Sequence, residues 1–173
     1  MNISGCVVCV MLMGVTSSWG TEPGDSQHAS PAEMIKIRIA NFHKIGEAFK
    51  GIRDQLRRSD PVIPEIQEFA GRIESLGSQI PTWFPPGTDA RAQDGNGTPR
   101  RISSGDPGKD DGKTRAKDEI WSQRSAFEDA HRRFVSEAQK MNEVAKTGDG
   151  AALAKQYQLL GKACKNCHNT FRE

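Results

Sequence analysis

Apolar residues recur at steps of three and four along much of the chain, a spacing that places side chains on one face of a helix. One such stripe runs from Ile35 to Leu56, and a second runs from Val62 to Ile80. The short connection between them predicts two antiparallel helices. The second helix should stop at Pro81, because proline cannot continue a helix.

The first helix has the clearest boundaries in the sequence. Ser30 can cap its start and Pro31 suits its first turn, so we predict a helix over residues 31–57. Its predicted core face consists of Ile35, Ile39, Phe42, Gly46, Phe49, Ile52 and Leu56.

Two further helices follow in the second half of the chain. A seven-residue apolar repeat predicts a third helix that ends near Thr147, and Asp149 can cap a fourth. The repeat consists of Ile120, Phe127, Phe134 and Met141, and the face of the fourth helix consists of Leu153, Tyr157, Leu160, Gly161, Cys164, Cys167, His168 and Phe171. Four amphipathic helices without a strand pattern predict an all-α fold, an antiparallel four-helix bundle over residues 31–173.

The segments outside these helices have different compositions. Residues 1–20 contain a short apolar run followed by small residues, which predicts a signal peptide, although they lack lysine and arginine. The run is too short to span a bilayer, so we expect a periplasmic protein without an integral membrane segment in the mature chain. Residues 21–30 form a polar leader, and residues 88–113 are predicted to be a mobile loop insertion between helices two and three.

The composition narrows the range of functions. Only 35% of residues are hydrophobic and 27% are charged, so the core is thin and a bound group could complete it. The net charge of +2 gives no electrostatic reason to expect a nucleic-acid partner. Two of the four cysteines lie in the predicted signal peptide, which leaves Cys164 and Cys167 in the mature chain.

Residues 164–168 read Cys-Lys-Asn-Cys-His, the attachment pattern of a c-type haem. On a helix, Cys164, Cys167 and His168 point the same way, so one planar ring could meet all three. A redox dithiol and a zinc site are the alternatives. The dithiol would normally sit at a helix start after a strand, and zinc would need a second pair of ligands.

Several motifs resemble the cytochromes c-prime and the related low-spin cytochromes c556 over most of residues 31–173. They are Ile35-Lys36-Ile37-Arg38, the segment 80–88, the segment 116–121 and the segment 161–172. The resemblance implies one covalent haem c with its iron, held near the C-terminus of a four-helix bundle. The glycine-rich stretch before the third helix is longer than is usual in the family.

The resemblance also implies roles for individual residues. His168 would be the proximal iron ligand, Arg38 would approach a haem propionate, and Arg172 would lie beside the proximal histidine. The low-spin relatives carry a methionine ligand on helix one, where this chain has Phe42. A phenylalanine ring cannot donate to iron, so we expect an empty sixth position shut by Phe42.

Other side chains could in principle reach the iron. His43 lies well off the apolar stripe and should point to solvent or to a flank. Met34, His131 and Met141 are expected to serve in packing or on the surface.

The predicted function follows from the expected empty sixth coordination position of the haem iron. We expect a gas-binding protein for nitric oxide and carbon monoxide, with a low-spin electron-transfer cytochrome of the c556 type as the alternative. A sensing module that binds a partner through the long loop is a third hypothesis. No catalytic signature accompanies the haem motif, so we do not expect an enzyme. A homodimer is expected from the resemblance, and a redox partner protein is considered.

Overall fold

The computed structural model describes residues 29–89 and 114–173. Four long helices and one short helix account for most of this part of the chain. They are α1 (Pro31–Leu56), α2 (Ile63–Ser78), α3 (Glu119–Ser122), α4 (Arg124–Thr147) and α5 (Gly150–Phe171). The predicted signal peptide, most of the polar leader and residues 90–113 of the predicted loop lie outside the described residues.

The predicted helix ends are confirmed where capping signals are present. At the start of α1, Ser30 Oγ accepts from the Glu33 amide, and the Glu33 carboxylate accepts from the Ser30 amide. This reciprocal pair satisfies two backbone donors that a helix start leaves free. Helix α5 is capped by the Asp149 carboxylate. Helix α4 ends at Gly148, whose φ of 69° is left-handed and suits glycine.

The four long helices form an antiparallel bundle, as predicted. Helices α2 and α4 run in opposite directions, since Gln67 near the start of α2 donates to the Ala145 carbonyl near the end of α4. Helices α4 and α5 are antiparallel as well, and Gln156 bonds to the Glu137 carbonyl between them. Within the described residues, strand-like pairing is limited to one bridge between Ala116 and Arg172. None of the described helices is long and apolar enough to cross a membrane.

The core face of α1 differs from the predicted stripe. The buried residues of α1 are Ile35, Arg38, Ile45, Ala48, Ile52 and Gln55. Phe42, predicted near the centre of the stripe, lies on its edge and is only half-buried. An apolar pattern cannot identify buried polar positions such as Arg38 and Gln55, which form hydrogen bonds to residues outside α1.

The predicted third helix is interrupted. Gln123 has φ −119° and ψ 50°, outside the helical region, and this break separates α3 from α4. Side chains on both sides of the break bind the turn that follows α2. Trp121 donates to the Pro85 carbonyl at 3.0 Å, and Arg124 donates to the Phe84 carbonyl at 3.3 Å.

The predicted end of helix two also needs correction. Helix α2 ends at Ser78, and a 3₁₀ turn over Ile80–Trp83 follows, with Pro81 in its first turn rather than acting as a stop. Thr88, predicted as the first residue of the mobile loop, is buried. Its carbonyl accepts a hydrogen bond from Arg38 of α1, so the chain is still anchored to the bundle at this point.

Candidate functional site

Helices α1 and α5 meet through a flank of half-buried side chains rather than through a closed core. At one end of this contact, Phe49 stacks on Tyr157 with ring centroids 4.2 Å apart. A Cβ at Gly161 would lie 3.2 Å from Phe49 Cζ, so glycine gives the ring room to lie against α5. We call the region between α1 and α5 that extends from this stack to Phe42 on α1 and to Cys164 and Cys167 on α5 the α1–α5 cleft.

The Cys-Lys-Asn-Cys-His motif lies on the last turns of α5, as its spacing predicted. Cys164 and Cys167 are half-buried against the core and are not joined in a disulfide, while His168 is exposed. Residues three and four apart are neighbours on a helix surface, so the three side chains share one face.

Phe42 lies at the same height along the bundle as the motif. It precedes Phe49 by seven residues, or about 10.5 Å of helix, and Cys164 follows Tyr157 by the same number. Because α1 and α5 are antiparallel, these steps bring Phe42 to the level of Cys164. The Phe42 ring packs edge-on against Trp83, with ring centroids 5.4 Å apart.

Arg38 lies one turn before Phe42 and is only 2% exposed. Its Nη2 donates to the Thr88 carbonyl at 3.0 Å and to Thr114 Oγ1 at 2.8 Å, and the guanidinium lies 4.5 Å from the centroid of the Phe84 ring. Burial lowers the pKa of Arg38 to about 10, and the Asp89 carboxylate opposes this change, so the group stays charged at neutral pH. Among the described residues, Nη1 has no hydrogen-bond partner.

Arg172 directly follows the last residue of α5. A second arginine, Arg115, lies close to it and was not predicted from the sequence. The Glu173 amide donates to the Arg115 carbonyl at 2.9 Å, and the Lys117 amide donates to the Phe171 carbonyl at 3.0 Å. This pairing brings the two arginines together beside His168. Although the His168 residue as a whole is exposed, partial burial of its imidazole is the main cause of a lowered pKa, and Arg172 and Arg115 add to the effect. A lowered pKa favours the neutral imidazole that can ligate a metal. No local sequence signal identifies Arg115, because it is brought to the site by backbone pairing.

The other residues considered as iron ligands are placed differently. His43 is exposed, as its position off the stripe predicted, and Met34 is half-buried. His131 bonds to the Gly77 carbonyl at 2.9 Å in the α2–α4 contact, and Met141 is fully buried on α4.

The chemistry of the motif fits a covalently held macrocycle better than the two alternatives. Burial raises the pKa of the Cys164 and Cys167 thiols to about 11, whereas reactive dithiols have lowered values. Within residues 29–89 and 114–173, no group of three His, Cys, Asp or Glu side chains could hold a metal ion by itself. A haem would cover the half-buried apolar flank, and its propionates would offer acceptors to Arg38 Nη1.

Comparisons with known proteins point the same way. A family model described as cytochrome C' matches residues 103–172. The cytochrome c' of Rhodospirillum rubrum is 29% identical over 85% of this chain and 86% of its own. A cytochrome c' solved with an unusual ligand-controlled dimer dissociation is 27% identical, with a TM-score of 0.69 over 83% of this chain and 97% of that chain. Over most of its length, the chain is therefore similar to cytochromes c'.

Cytochromes c' contain a c-type haem with iron, which confirms the cofactor predicted from the motif. The cytochrome c' of Alcaligenes xylosoxidans, solved as a nitric oxide complex of a variant, is 21% identical. It has a TM-score of 0.65 over 84% of this chain and 98% of its own, a likeness that shows the shared fold.

Proposed function

We propose that this protein is an exported cytochrome c' whose single haem is held covalently by Cys164 and Cys167, with His168 as its axial ligand. The iron is five-coordinate and binds small gases such as nitric oxide and carbon monoxide. The observation that carries this proposal is the placement of Phe42, which has no donor atom, level with the motif on the facing helix.

Covalent attachment of the haem is supported by the position of the two motif thiols. Both thiols are unpaired and half-buried beside the α1–α5 cleft, where the vinyl groups of a haem would meet them. Burial, with Arg172 and Arg115 acting in the same direction, lowers the pKa of His168, so the neutral imidazole has a lone pair to donate. When bound, the haem supplies an iron centre for ligands and for electron exchange.

An open sixth position on the iron is supported by the contacts of the side chains that could otherwise have served as ligands. His131 is engaged with the Gly77 carbonyl, and Met141 is buried in the core. The Phe42 ring packs on Trp83 and Phe84 and is half-buried. An apolar ring at this position admits small neutral ligands and gives no hydrogen bond to polar ones.

The alternative, a low-spin electron-transfer cytochrome of the c556 type, would require a sixth protein ligand. Met34 and His43 are the remaining candidates on α1, and both would have to move, since Met34 lies two turns from Phe42 and His43 is exposed. The gas-binding proposal needs no such movement.

The absorption spectrum of the purified protein tests both halves of the proposal. We expect haem that survives denaturing electrophoresis, a mainly high-spin ferric spectrum near neutral pH, and a ferrous form that binds carbon monoxide and nitric oxide. Haem lost from the denatured wild type would refute covalent attachment. A low-spin spectrum that carbon monoxide does not alter would favour electron transfer.

Export and assembly belong to the same proposal. The apolar run of residues 1–20 is the basis for periplasmic export, where haem attachment to the two thiols would take place. A homodimer is proposed because a related cytochrome c' undergoes ligand-controlled dimer dissociation, and Ile37 of α1 is 42% exposed. Sedimentation with and without carbon monoxide tests this. A monomer at all concentrations would refute the dimer, and a redox partner protein stays a prediction.

A further inference from the structure

The two terminal nitrogens of the Arg38 guanidinium are in different situations. Nη2 donates to the Thr88 carbonyl and to Thr114 Oγ1, whereas Nη1 is buried without a partner. No other buried side-chain nitrogen or oxygen in the described part of the chain lacks a partner. A buried charged donor without an acceptor is unfavourable, so this nitrogen needs an acceptor that the described residues do not provide.

Thr114 is held independently of Arg38. Its Oγ1 also accepts from the Ala116 amide at 3.1 Å, and Ala116 pairs with Arg172, one turn after His168. Thr114 is itself buried. The hydroxyl is therefore a fixed point that connects the end of the motif helix to the guanidinium on α1.

Fixing Nη2 also fixes the direction of Nη1, because the guanidinium is a rigid planar fork. The Phe84 and Trp121 rings, 4.5 Å and 5.8 Å from the guanidinium carbon, restrict the fork on its faces but do not choose its rotation in the plane. The hydrogen bonds to Thr88 and Thr114 choose that rotation. Of these two acceptors, only Thr114 uses a side chain, so only its contribution depends on the residue type.

We propose that Thr114 is a positioning residue for the haem, whose hydroxyl orients Arg38 so that Nη1 binds a propionate. This inference rests on the proposed haem site and adds to it a residue that does not touch the haem. A propionate held by Arg38 is neutralised by it. If the guanidinium is less well fixed, more negative charge acts on the iron, the ferric form gains stability and the midpoint potential falls.

A double-mutant cycle separates positioning from a general structural role. We expect Arg38→Gln to lower the midpoint potential and to shift the propionate bending band in the resonance Raman spectrum. Thr114→Val should produce a smaller change in the same direction, and Thr114→Ser should restore the wild-type values. In the Arg38→Gln background, Thr114→Val should add nothing.

Thr147→Val is the matched control, because Thr147 lies at the far end of α4 and bonds only to neighbouring backbone. It should leave both readouts unchanged. Thr114→Ala, which is smaller and cannot clash, replaces Thr114→Val if the latter does not fold. An unchanged potential and Raman band in the folded Thr114 variant would overturn the proposal, as would an equal effect with and without Arg38.

The failure of the haem site itself would look different. If the wild type carries no covalent haem, neither readout exists, and both the proposed function and this inference are refuted together. If the wild type carries haem and Arg38→Gln changes the Raman band while Thr114→Val does not, the haem site stands and only the role of Thr114 is refuted.

Discussion

The α2 side of the bundle and the α1–α5 side are built from the same kind of amphipathic helix but are packed differently. On the α2 side, aromatic rings fill the space above glycines of the facing helix. A Cβ at Gly77 would lie 2.6 Å from the Phe134 ring, and one at Gly51 would lie 2.5 Å from the Phe69 ring. On the α1–α5 side, the Phe49 ring stacks on Tyr157 and lies over Gly161, but Phe42, Cys164 and Cys167, about two turns away along the helices, are only half-buried.

This difference shows where the fold depends on something besides its own side chains. Ile66, Ala70 and Ile73 on α2 are fully covered by neighbouring helices. Phe42 and the motif cysteines, at the other side, are only partly covered, and the nearby Arg38 has an unpaired nitrogen. Protein interiors are normally packed without such gaps, and the proposed haem would complete the α1–α5 side.

Of the changes considered, removing the haem attachment should have the largest effect on the stability of the protein. In Cys164→Ser/Cys167→Ser we expect loss of covalent haem and loss of cooperative unfolding, because the apolar flank of the α1–α5 side is left uncovered. Circular dichroism melting measures this. Lys165→Ser/Asn166→Ser changes two exposed residues of the same turn and is the control. A native-like melt of the cysteine variant without haem would show that the protein side chains suffice.

Changes at Phe42 should alter ligand binding without unfolding the bundle. Phe42→Met is expected to supply a thioether, move the ferric spectrum toward low spin and slow carbon monoxide binding by ~tenfold or more. Phe42→Ala should widen the pocket and speed binding. Flash photolysis measures both rates, and Phe69→Met, at the α1–α2 contact, is the control. Unchanged kinetics in both Phe42 variants would mean that Phe42 does not face the iron.

Two glycines on one helix give a matched test of the tightly packed side. Gly77→Ala should destabilise the protein by about 1–3 kcal/mol, because the added methyl group meets the Phe134 ring. Gly71→Ala has nothing within 4 Å of its Cβ and should be neutral or stabilising by up to about 1 kcal/mol. Denaturant unfolding of the haem protein measures both. Equal stabilities would contradict the close contact at Gly77.

The smallest expected effect concerns the charges beside His168. Arg115→Gln should lower the midpoint potential, by less than Arg38→Gln, since Arg115 is exposed and its charge is screened by solvent. Arg115→Lys should restore the wild-type potential, because it keeps the charge. Redox titration measures the difference. If Arg115→Lys lowered the midpoint potential as much as Arg115→Gln does, the geometry of the Arg115 side chain and not its charge would set the potential.

Much of the fold could be predicted from local patterns, and the exceptions have a common origin. Ser30 and Asp149 mark helix starts through hydrogen bonds made within a few residues, and Gly148 marks an end. The break at Gln123 was missed, because it is held by Trp121 and Arg124 bonding to a turn far away in the sequence. The burial of Arg38 and Thr88 was not predicted from the pattern for the same reason.

The sequence by itself determined the helices, the bundle and the haem motif, because caps, apolar periodicity and the spacing of Cys164, Cys167 and His168 are properties of neighbouring residues. The α1–α5 cleft, the level of Phe42 and the unpaired Arg38 nitrogen depend on which helix flanks meet, and so does the pairing that brings Arg115 beside Arg172. Only the tertiary structure decides these, since each joins residues that no local pattern connects.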